Sequence, residues 1–251
     1  MSVDPATDAM SVRAQAYAAL HLDALDGAVV ECRACPRLVA WREQVAQERR
    51  AAFRDQQYWG RPVPGFGPSD ASIVVLGLAP AAHGANRTGR VFTGDRSGDW
   101  LFSALYRAGL ANQPMATGRD DGLRLHGTRV LAAVRCAPPA NKPTPDERDT
   151  CSGWLDAELA MLRPTMRVVV ALGAFAWDAA VSWHVRSGGE LQRPRPRFGH
   201  AAQSPLGDVA LIGSFHPSQQ NTFTGRLTEP MLDAVVQAAR AAAGGEGTMG
   251  A

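Results

Sequence analysis

A strand-like run followed by a helix-like run occurs four times between residues 72 and 243. The strand-like runs are apolar and rich in β-branched side chains, and they cover 72–78, 128–136, 166–173 and 208–215. In the segments that follow them, apolar residues recur every three or four positions, which is typical of amphipathic helices; these segments are 97–110, 144–162, 174–185 and 228–243. The alternation predicts a three-layer αβα fold with a central sheet of four parallel strands, covered by helices on both faces.

The remaining segments complete the predicted domain. Apolar residues recur at helical intervals from 12 to 52, where a C-x-x-C motif separates two helices. Thr144 and Pro145 are suited to the cap and the first turn of the helix that they open. Residues 1–12 and 244–251 are small or polar, and we expect them to be loose tails. At 251 residues the chain is long enough for one well-filled core, so we expect a single domain.

Composition narrows the choice of class. Hydrophobic residues make up 45% of the chain and charged residues 20%, which is ordinary for a globular protein. The formal net charge of +2 means that any affinity for nucleic acid must come from local patches. Lys142 is the only lysine among 26 basic residues; arginine makes bidentate contacts with phosphate, although genomic base composition also explains such a bias. With no apolar run of roughly 20 residues and no charged-then-apolar leader, a cytoplasmic location is expected.

Four cysteines form the first candidate site. Cys32 and Cys35 make up the C-x-x-C motif, whereas Cys136 and Cys151 lie apart from it and from each other. In a cytosol, such cysteines are metal ligands or buried side chains more often than disulfides. If tertiary folding brings the four together, they suit either an iron–sulfur cluster or zinc, and their spacing does not decide between the two.

Polar side chains follow the predicted strands, where parallel α/β folds bind their ligands. The glycine-rich loop 77–96 contains neither the phosphate-binding P-loop motif nor G-x-G-x-x-G, and it ends near Asp95. Asn141 lies in a loop stiffened by prolines, and His216 follows the last strand. A lone histidine is often a cap or a core residue, and an asparagine is often a turn former. We nevertheless expect Asp95, Asn141, His216 and Asn221 to converge at one end of the sheet.

Three long motifs resemble a known family. The segments GLAPAAHGANRTGRVFTGD (77–95), VRCAPPANKPTP (134–145) and FHPSQQNTFTGRLT (215–228), together with the four cysteines, resemble the iron–sulfur uracil-DNA glycosylases of family 5, type B. The resemblance runs from about Cys32 to the last helix. It implies the uracil-DNA glycosylase fold and a monomeric DNA repair enzyme. Such an enzyme flips uracil and related damaged or deaminated bases out of DNA and hydrolyses the N-glycosidic bond, leaving an abasic site.

The resemblance also implies roles for individual residues. Asp95 would orient or deprotonate the attacking water, and His216 would donate a hydrogen bond to the departing base. Phe92 would stack on the base, although a core position is the competing interpretation. Further base contacts are expected from Ala79, Asn141, His216 and Asn221. Phosphate contacts are expected from Arg90, Ser218, Thr224 and Arg226, for which a solvated loop is the alternative. The resemblance assigns Cys32, Cys35, Cys136 and Cys151 to a 4Fe–4S cluster.

Two polar positions of the wider superfamily are apolar in this chain. The first strand is followed by Leu78 and Ala79, where many relatives have a polar or acidic residue, and Ala132 stands where many have a base-reading asparagine. An apolar, stacking pocket discriminates weakly between bases, because it leaves few buried polar groups unpaired when the wrong base enters. A substrate range broader than uracil is therefore expected.

Two other classes of function remain open from the residues alone. The cysteines permit an iron–sulfur electron carrier or redox sensor without glycosylase activity. An αβα fold also permits a hydrolase that acts on free nucleotides.

Overall fold

A five-stranded sheet forms the middle layer of the protein, in a computed structural model that describes residues 4–244. The strands are β1 (Ile73–Gly77), β2 (Thr128–Ala132), β3 (Val168–Leu172), β4 (Gln203–Leu206) and β5 (Val209–Ser214). Their order is β2-β1-β3-β5-β4. The pairs β1–β2, β1–β3 and β3–β5 are parallel, which confirms the four predicted parallel strands, and β4 pairs antiparallel with β5.

The fifth strand is a correction to the prediction of four. β4 lies at the edge of the sheet, and its residues alternate between exposed and buried. It contains Pro205, which cannot donate a backbone hydrogen bond and is tolerated mainly in edge strands. Its sequence QSPL therefore lacks the apolar, β-branched run that identified the four central strands.

Helices cover both faces of the sheet. They are α1 (Ala9–Ala18), α2 (Leu22–Glu31), α3 (Pro36–Glu48), α4 (Ala85–Thr88), α5 (Arg96–Arg107), α6 (Pro145–Leu162), α7 (Ala174–Arg186), α8 (Gln219–Phe223) and α9 (Glu229–Ala242), with short 3-10 turns at Ala51–Phe53 and Pro139–Asn141. Residues of α1, α2, α3, α6 and α7 bury their apolar side chains with one face of the sheet. Residues of α5 and α9 do so with the other face. Successive side chains of β1 point to opposite faces of the sheet, so the strand contributes to the apolar core on each face. Val74 and Leu76 lie in one core, and Ile73 and Val75 lie in the other.

The N-terminal region is more ordered than the sequence predicts. The segment from 12 to 52 contains most of three helices, not two. The expectation of a loose tail up to residue 12 is wrong for residues 9–12, which lie in α1. Asp8 caps this helix reciprocally with Ser11, and Val12 is fully buried. Residues 1–3 and 245–251 of the predicted tails lie outside the described residues.

The predicted start of α6 is confirmed. The Thr144 hydroxyl accepts a hydrogen bond from the backbone N–H of Glu147, and the Glu147 carboxylate accepts one from the N–H of Thr144 at 2.7 Å. Within residues 4–244, none of the helices combines the length and the apolar character that a membrane span requires.

Strand register sets the position of the functional loops. Gly77 at the end of β1 pairs with Ala132 at the end of β2, and Leu172 of β3 pairs with Ser214 of β5. The four parallel strands therefore end at nearly the same level. The chain segments that follow β1, β2 and β5 meet above that edge.

Candidate active site

A cavity of about 240 Å³ lies at the carboxyl edge of the sheet. Six of the residues that the sequence identified line it: Ala79, Phe92, Asp95, Asn141, His216 and Ser218. Leu78 and Ala132 also line it and contribute apolar surface. The expected convergence is thus observed for Asp95, Asn141 and His216, each of which comes from a different loop.

Asp95 is the N-cap of α5. Its Oδ1 accepts a hydrogen bond from the backbone N–H of Gly98 at 3.0 Å, so the carboxylate lies at the positive end of the helix. Burial raises the pKa of Asp95 above its ordinary value, and the N–H groups of Gly98 and Ser97 oppose this rise. The result is a fixed carboxylate whose basicity is enhanced by its partial removal from water.

Arg87 fixes the turn that precedes Asp95, and sequence reasoning missed it. Its guanidinium donates to the carbonyl of Gly94 at 2.7 Å, to the carbonyl of His83 at 2.8 Å and to Oε1 of Gln56 at 2.6 Å. The side chain is buried and joins His83 and Gly94 of the loop to Gln56, in the segment that precedes β1. The signal available in the sequence was the first arginine of the NRTGR stretch, whose partners are not evident from the chain alone.

Phe92 lies across the end of β1. Its backbone has φ of 50°, in the left-handed region that non-glycine residues seldom adopt, and such strain is common at functional sites. A Cβ on Gly77 would come within 2.7 Å of the Phe92 ring. The ring can therefore occupy this position only because residue 77 is a glycine. The rings of Phe92 and His216 lie 5.7 Å apart, centre to centre, at an angle of 32°. These two rings therefore lie side by side on the cavity wall.

His216 follows β5 and is neutral at pH 7. Burial lowers the pKa of its imidazole to about 4. The side-chain amide of Asn221 donates to the backbone carbonyl of His216 at 2.8 Å and so holds this loop. Asn221 was expected to contact the base. Its Nδ2 instead bonds to the loop backbone, and Asn221 is not among the residues that line the cavity.

Asn141 is presented by a strained turn. Ala140 and Asn141 have φ of 53° and 56°, both in the left-handed region, and the N–H of Asn141 donates to the carbonyl of Pro138 at 3.1 Å. The Asn141 side chain is exposed and lines the cavity. The proline-rich loop therefore directs an amide toward the same space as Asp95 and His216, as the sequence predicts.

The loop that carries α8 forms one rim of the site. Ser218 lines the cavity, and Thr224 is exposed with its hydroxyl donating to the carbonyl of Gln220 at 2.7 Å. Arg226 is exposed, with its guanidinium 4.5 Å from the centre of the Phe215 ring. The three residues therefore lie on an accessible loop, as their predicted contact with phosphate requires.

Phe223 on the same loop was missed by sequence reasoning. Its side chain is 66% exposed, and the guanidinium of Arg96 stacks on the ring at 4.7 Å from its centre. An aromatic residue among hydroxyl and amide side chains was the available signal.

Arg90 does not fit its predicted contact with DNA. The side chain is only 4% exposed, and its two terminal nitrogens pair with the carboxylate of Asp121 at 2.9 and 2.5 Å. Its Nε donates to the Thr93 hydroxyl, and the guanidinium stacks on Phe66. Because the guanidinium is buried and already paired with Asp121, it is not available to a DNA phosphate. The prediction of a phosphate contact for Arg90 is therefore wrong, and the residue instead stabilises the loop.

The four cysteines line one apolar cavity on the face of the sheet that α2, α3 and α6 cover. Burial and the neighbouring thiols raise the pKa of Cys35 to about 12, and burial raises that of Cys136 to about 11. Two N–H groups point at sulfur atoms. The Arg42 guanidinium donates to Sγ of Cys136 at 3.0 Å, and the backbone N–H of Arg135 donates to Sγ of Cys151 at 3.2 Å. Among residues 4–244, no three His, Cys, Asp or Glu side chains are arranged around a single metal ion.

Comparison with known proteins gives a consistent result. Residues 64–240 match the family model of the uracil DNA glycosylase superfamily. A type-5 uracil-DNA glycosylase of Mycobacterium tuberculosis is 57% identical over 221 residues, which are 88% of this chain and 81% of the relative. A type-5 uracil-DNA glycosylase of Thermus thermophilus is 51% identical over 214 residues, or 85% and 94%. A type-4 uracil-DNA glycosylase of Thermotoga maritima is 33% identical over 157 residues, or 62% and 69%.

Proposed function

Since the chain belongs to the type-5 uracil-DNA glycosylases of the uracil-DNA glycosylase superfamily, we propose that it removes uracil from DNA and leaves an abasic site. The observation that carries the chemistry is the placement of the Asp95 carboxylate and the His216 imidazole on one cavity of about 240 Å³. Enzymes that act on a base rotate its nucleotide out of the duplex, at a cost of a few kcal/mol. A cavity at the sheet edge receives the extruded base.

Two groups act on the reacting bond. Asp95 orients a water molecule toward C1′ of the deoxyribose and takes up its proton as the new C–O bond forms. The bond between C1′ and the base nitrogen breaks, and the electron pair leaves with the base. His216 donates a hydrogen bond to a carbonyl oxygen of the base, where that negative charge develops. A preorganised donor of this kind contributes roughly 2.7–4 kcal/mol to the transition state.

The ionisation states suit these roles. A neutral imidazole, favoured by the lowered pKa of His216, donates its N–H without transferring the proton to the base. Burial makes the Asp95 carboxylate a stronger base than an exposed aspartate, because the charged form loses hydration. Both effects follow from the partial exclusion of water at the cavity.

Binding of the base depends mainly on stacking. Phe92 offers a flat face beside His216, and Asn141 offers an amide that can donate to and accept from a base edge. Leu78, Ala79 and Ala132 complete the wall with apolar surface. Such a pocket accepts bases other than uracil, including 5-hydroxymethyluracil and deaminated bases, because few of its groups go unpaired when the base changes.

DNA lies against the loop that carries α8. Ser218, Thr224 and Arg226 contact phosphates beside the flipped nucleotide. The exposed Phe223, with Arg96 against its ring, is an apolar group of the kind that enters the base stack in proteins that distort DNA.

We infer that Cys32, Cys35, Cys136 and Cys151 hold a 4Fe–4S cluster with a structural role. The donor set fits, because four free thiols line one apolar cavity and N–H groups already point at two of the sulfurs. When bound, the cluster crosslinks the start of α3 to α6 and to the segment after β2, and this segment leads to Asn141.

A strand-cleavage assay tests the proposal. Duplexes with one uracil are incubated with the enzyme and treated with alkali, which breaks the strand at an abasic site. Asp95→Ala and His216→Ala should each lose about 100-fold or more in rate. Asp70→Ala and His126→Ala are the matched controls, because both side chains are exposed and neither lines the cavity. If wild-type enzyme cleaves free deoxyuridine nucleotides in preference to DNA, the proposal is wrong.

A further inference from the structure

Two fully buried arginines adjoin the four cysteines. Arg42 of α3 is 2% exposed and Arg135, just after β2, is 1% exposed. Burying a guanidinium is costly unless its N–H groups find acceptors and its charge finds a counter-charge. Both requirements are only partly met by the side chains around them.

Arg42 has one sulfur partner and no close carboxylate partner among the described residues. Its Nη1 donates to Sγ of Cys136 at 3.0 Å, and its Nη2 donates to the carbonyl of Cys32 at 3.2 Å. Its closest carboxylate oxygen among the ion pairs belongs to Glu43, at 3.8 Å, and Glu43 also pairs with Arg33 at 2.5 Å. The Nε of Arg42 is buried without a hydrogen-bond partner in the described chain.

Arg135 is also buried with donors that lack partners. Its Nη2 pairs with Glu158, a carboxylate that it shares with Arg129. Its Nε and Nη1 are buried with no partner among residues 4–244, and the same holds for Nε1 of Trp154. Arg135 and Trp154 both line the cavity that the four cysteines share. Unpaired donors are therefore concentrated around the thiols.

We propose that Arg42 and Arg135 are the electrostatic partners of the iron–sulfur cluster and set its reduction potential. The inference rests on the cofactor proposed above. Four thiolates outweigh the positive charge of an iron–sulfur core, and reduction adds a further negative charge. Two buried cations therefore favour the reduced state. Net charge and hydrogen bonds to the sulfurs are among the factors that govern such potentials, and neighbouring groups of this kind tune metal centres generally.

The test is the midpoint potential of the purified holoprotein, measured by voltammetry after iron and sulfide have been quantified. Arg42→Gln keeps a donor and removes the charge. We expect it to shift the equilibrium at least tenfold toward the oxidised state, which is about 59 mV more negative for one electron. Arg42→Lys restores the charge and should recover most of the shift. Arg163→Gln is the control, because Arg163 is exposed and pairs with Asp208, away from the cysteines.

The outcomes are distinguishable. An Arg42→Gln protein that holds a full cluster at the wild-type potential overturns the inference. If Arg42→Gln loses its cluster during purification, the midpoint potential of Arg135→Gln is measured instead and should also be more negative than that of wild type. Glu158 keeps Arg129 as a partner in this variant. A wild-type potential in Arg135→Gln also overturns the inference. Wild-type protein without stoichiometric iron and sulfide overturns the cofactor assignment and this inference with it, while uracil excision is measured independently.

Discussion

The carboxylate of Asp95 lies against the backbone of Gly84, in the space that a methyl group at position 84 would fill. Gly84 caps α4 and Asp95 caps α5, and both lie in the segment that follows β1, so this segment folds back on itself at the site. The carboxylate is also held by the N–H of Gly98. It cannot move away from position 84 without weakening that bond.

Gly84→Ala should therefore displace Asp95 and reduce excision of uracil on the order of 100-fold, the scale of a lost general base. The measurement is the single-turnover rate on a duplex with one uracil. Gly27→Ala is the matched control, since a Cβ on Gly27 in α2 meets nothing within 4 Å. A Gly84→Ala enzyme as fast as wild type would show that the position of Asp95 does not matter.

Asp95→Asn should lower activity and raise stability at neutral pH. Burial raises the pKa of this carboxyl above 3.8 in the folded state, so the unfolded chain releases the proton at lower pH than the folded one. The folded state therefore loses stability as the pH rises from 3.8 through the raised pKa of Asp95, and this loss persists at neutral pH. We expect Asp95→Asn to lose about 100-fold or more in rate. Its Tm should rise by on the order of 2 °C at pH 7.5.

Thermal melts at pH 7.5 and at lower pH check whether Asp95→Asn raises the Tm. The gain in Tm should shrink as the pH falls toward 3.8, where Asp95 itself becomes protonated. Asp70→Asn serves as the control, at an exposed position that lies outside α5. A large drop in the Tm of Asp95→Asn at neutral pH would mean that the carboxylate stabilises the fold.

The convergence of Asp95, Asn141 and His216 was predictable because parallel strands end at one edge of a sheet. Each residue stands shortly after a strand that its apolar run identifies. What the chain could not reveal is which polar side chains are already paired. Arg90 meets Asp121 across 31 positions, and nothing in the local pattern of either residue indicates the other. Long-range pairing of this kind decides whether an arginine is free for DNA.

The same limit applies to residues that act through others. The family resemblance predicted that Asn221 contacts the base, yet its amide donates to the backbone carbonyl of His216. Arg87 holds the turn before Asp95 through three partners that lie 4, 7 and 31 positions away. Local sequence indicates where a loop lies. Folding decides which of its side chains face the cavity.

His216→Phe should reduce excision by about 100-fold or more, because the proposed donor to the departing base is lost while an aromatic ring remains. It should also change the response of stability to acid. The pKa of His216 is lowered from 6.5 to about 4 in the folded state, so the unfolded chain binds a proton between these values and stability falls as pH falls through them.

Thermal melts at pH 7 and pH 4.5 test the predicted change in the acid response of His216→Phe. The difference in Tm between the two pH values should be smaller in the variant than in wild type, because the titrating group is gone. His126→Phe is the control at an exposed position. If both variants show the same acid response as wild type, burial does not lower the pKa of His216.

Ala79→Leu should narrow the substrate range. Ala79 lines the cavity, and a larger side chain there takes up space that a substituted base needs. Space for one methylene group is worth about 1–3 kcal/mol in such pockets, so excision of 5-hydroxymethyluracil should fall at least 10-fold relative to uracil. Rates on matched duplexes give the ratio. An unchanged ratio would place the substituent of the base elsewhere, and a wild-type enzyme that excises uracil alone would contradict the broad specificity.

Cys136→Ala should lose the brown chromophore and much of the fold together. Cys136 stands at the junction of the two sites, since its sulfur faces the cysteine cavity and the chain after it reaches Asn141 in five residues. Loss of one of four thiolates should release the proposed cluster and with it the crosslink between the β2 segment, α3 and α6. Iron content, visible absorbance, Tm and excision should all fall, whereas Ser152→Ala, beside Cys151 in α6, should leave them unchanged. A colourless Cys136→Ala enzyme with full activity would show that the active-site loops hold their geometry without the cluster.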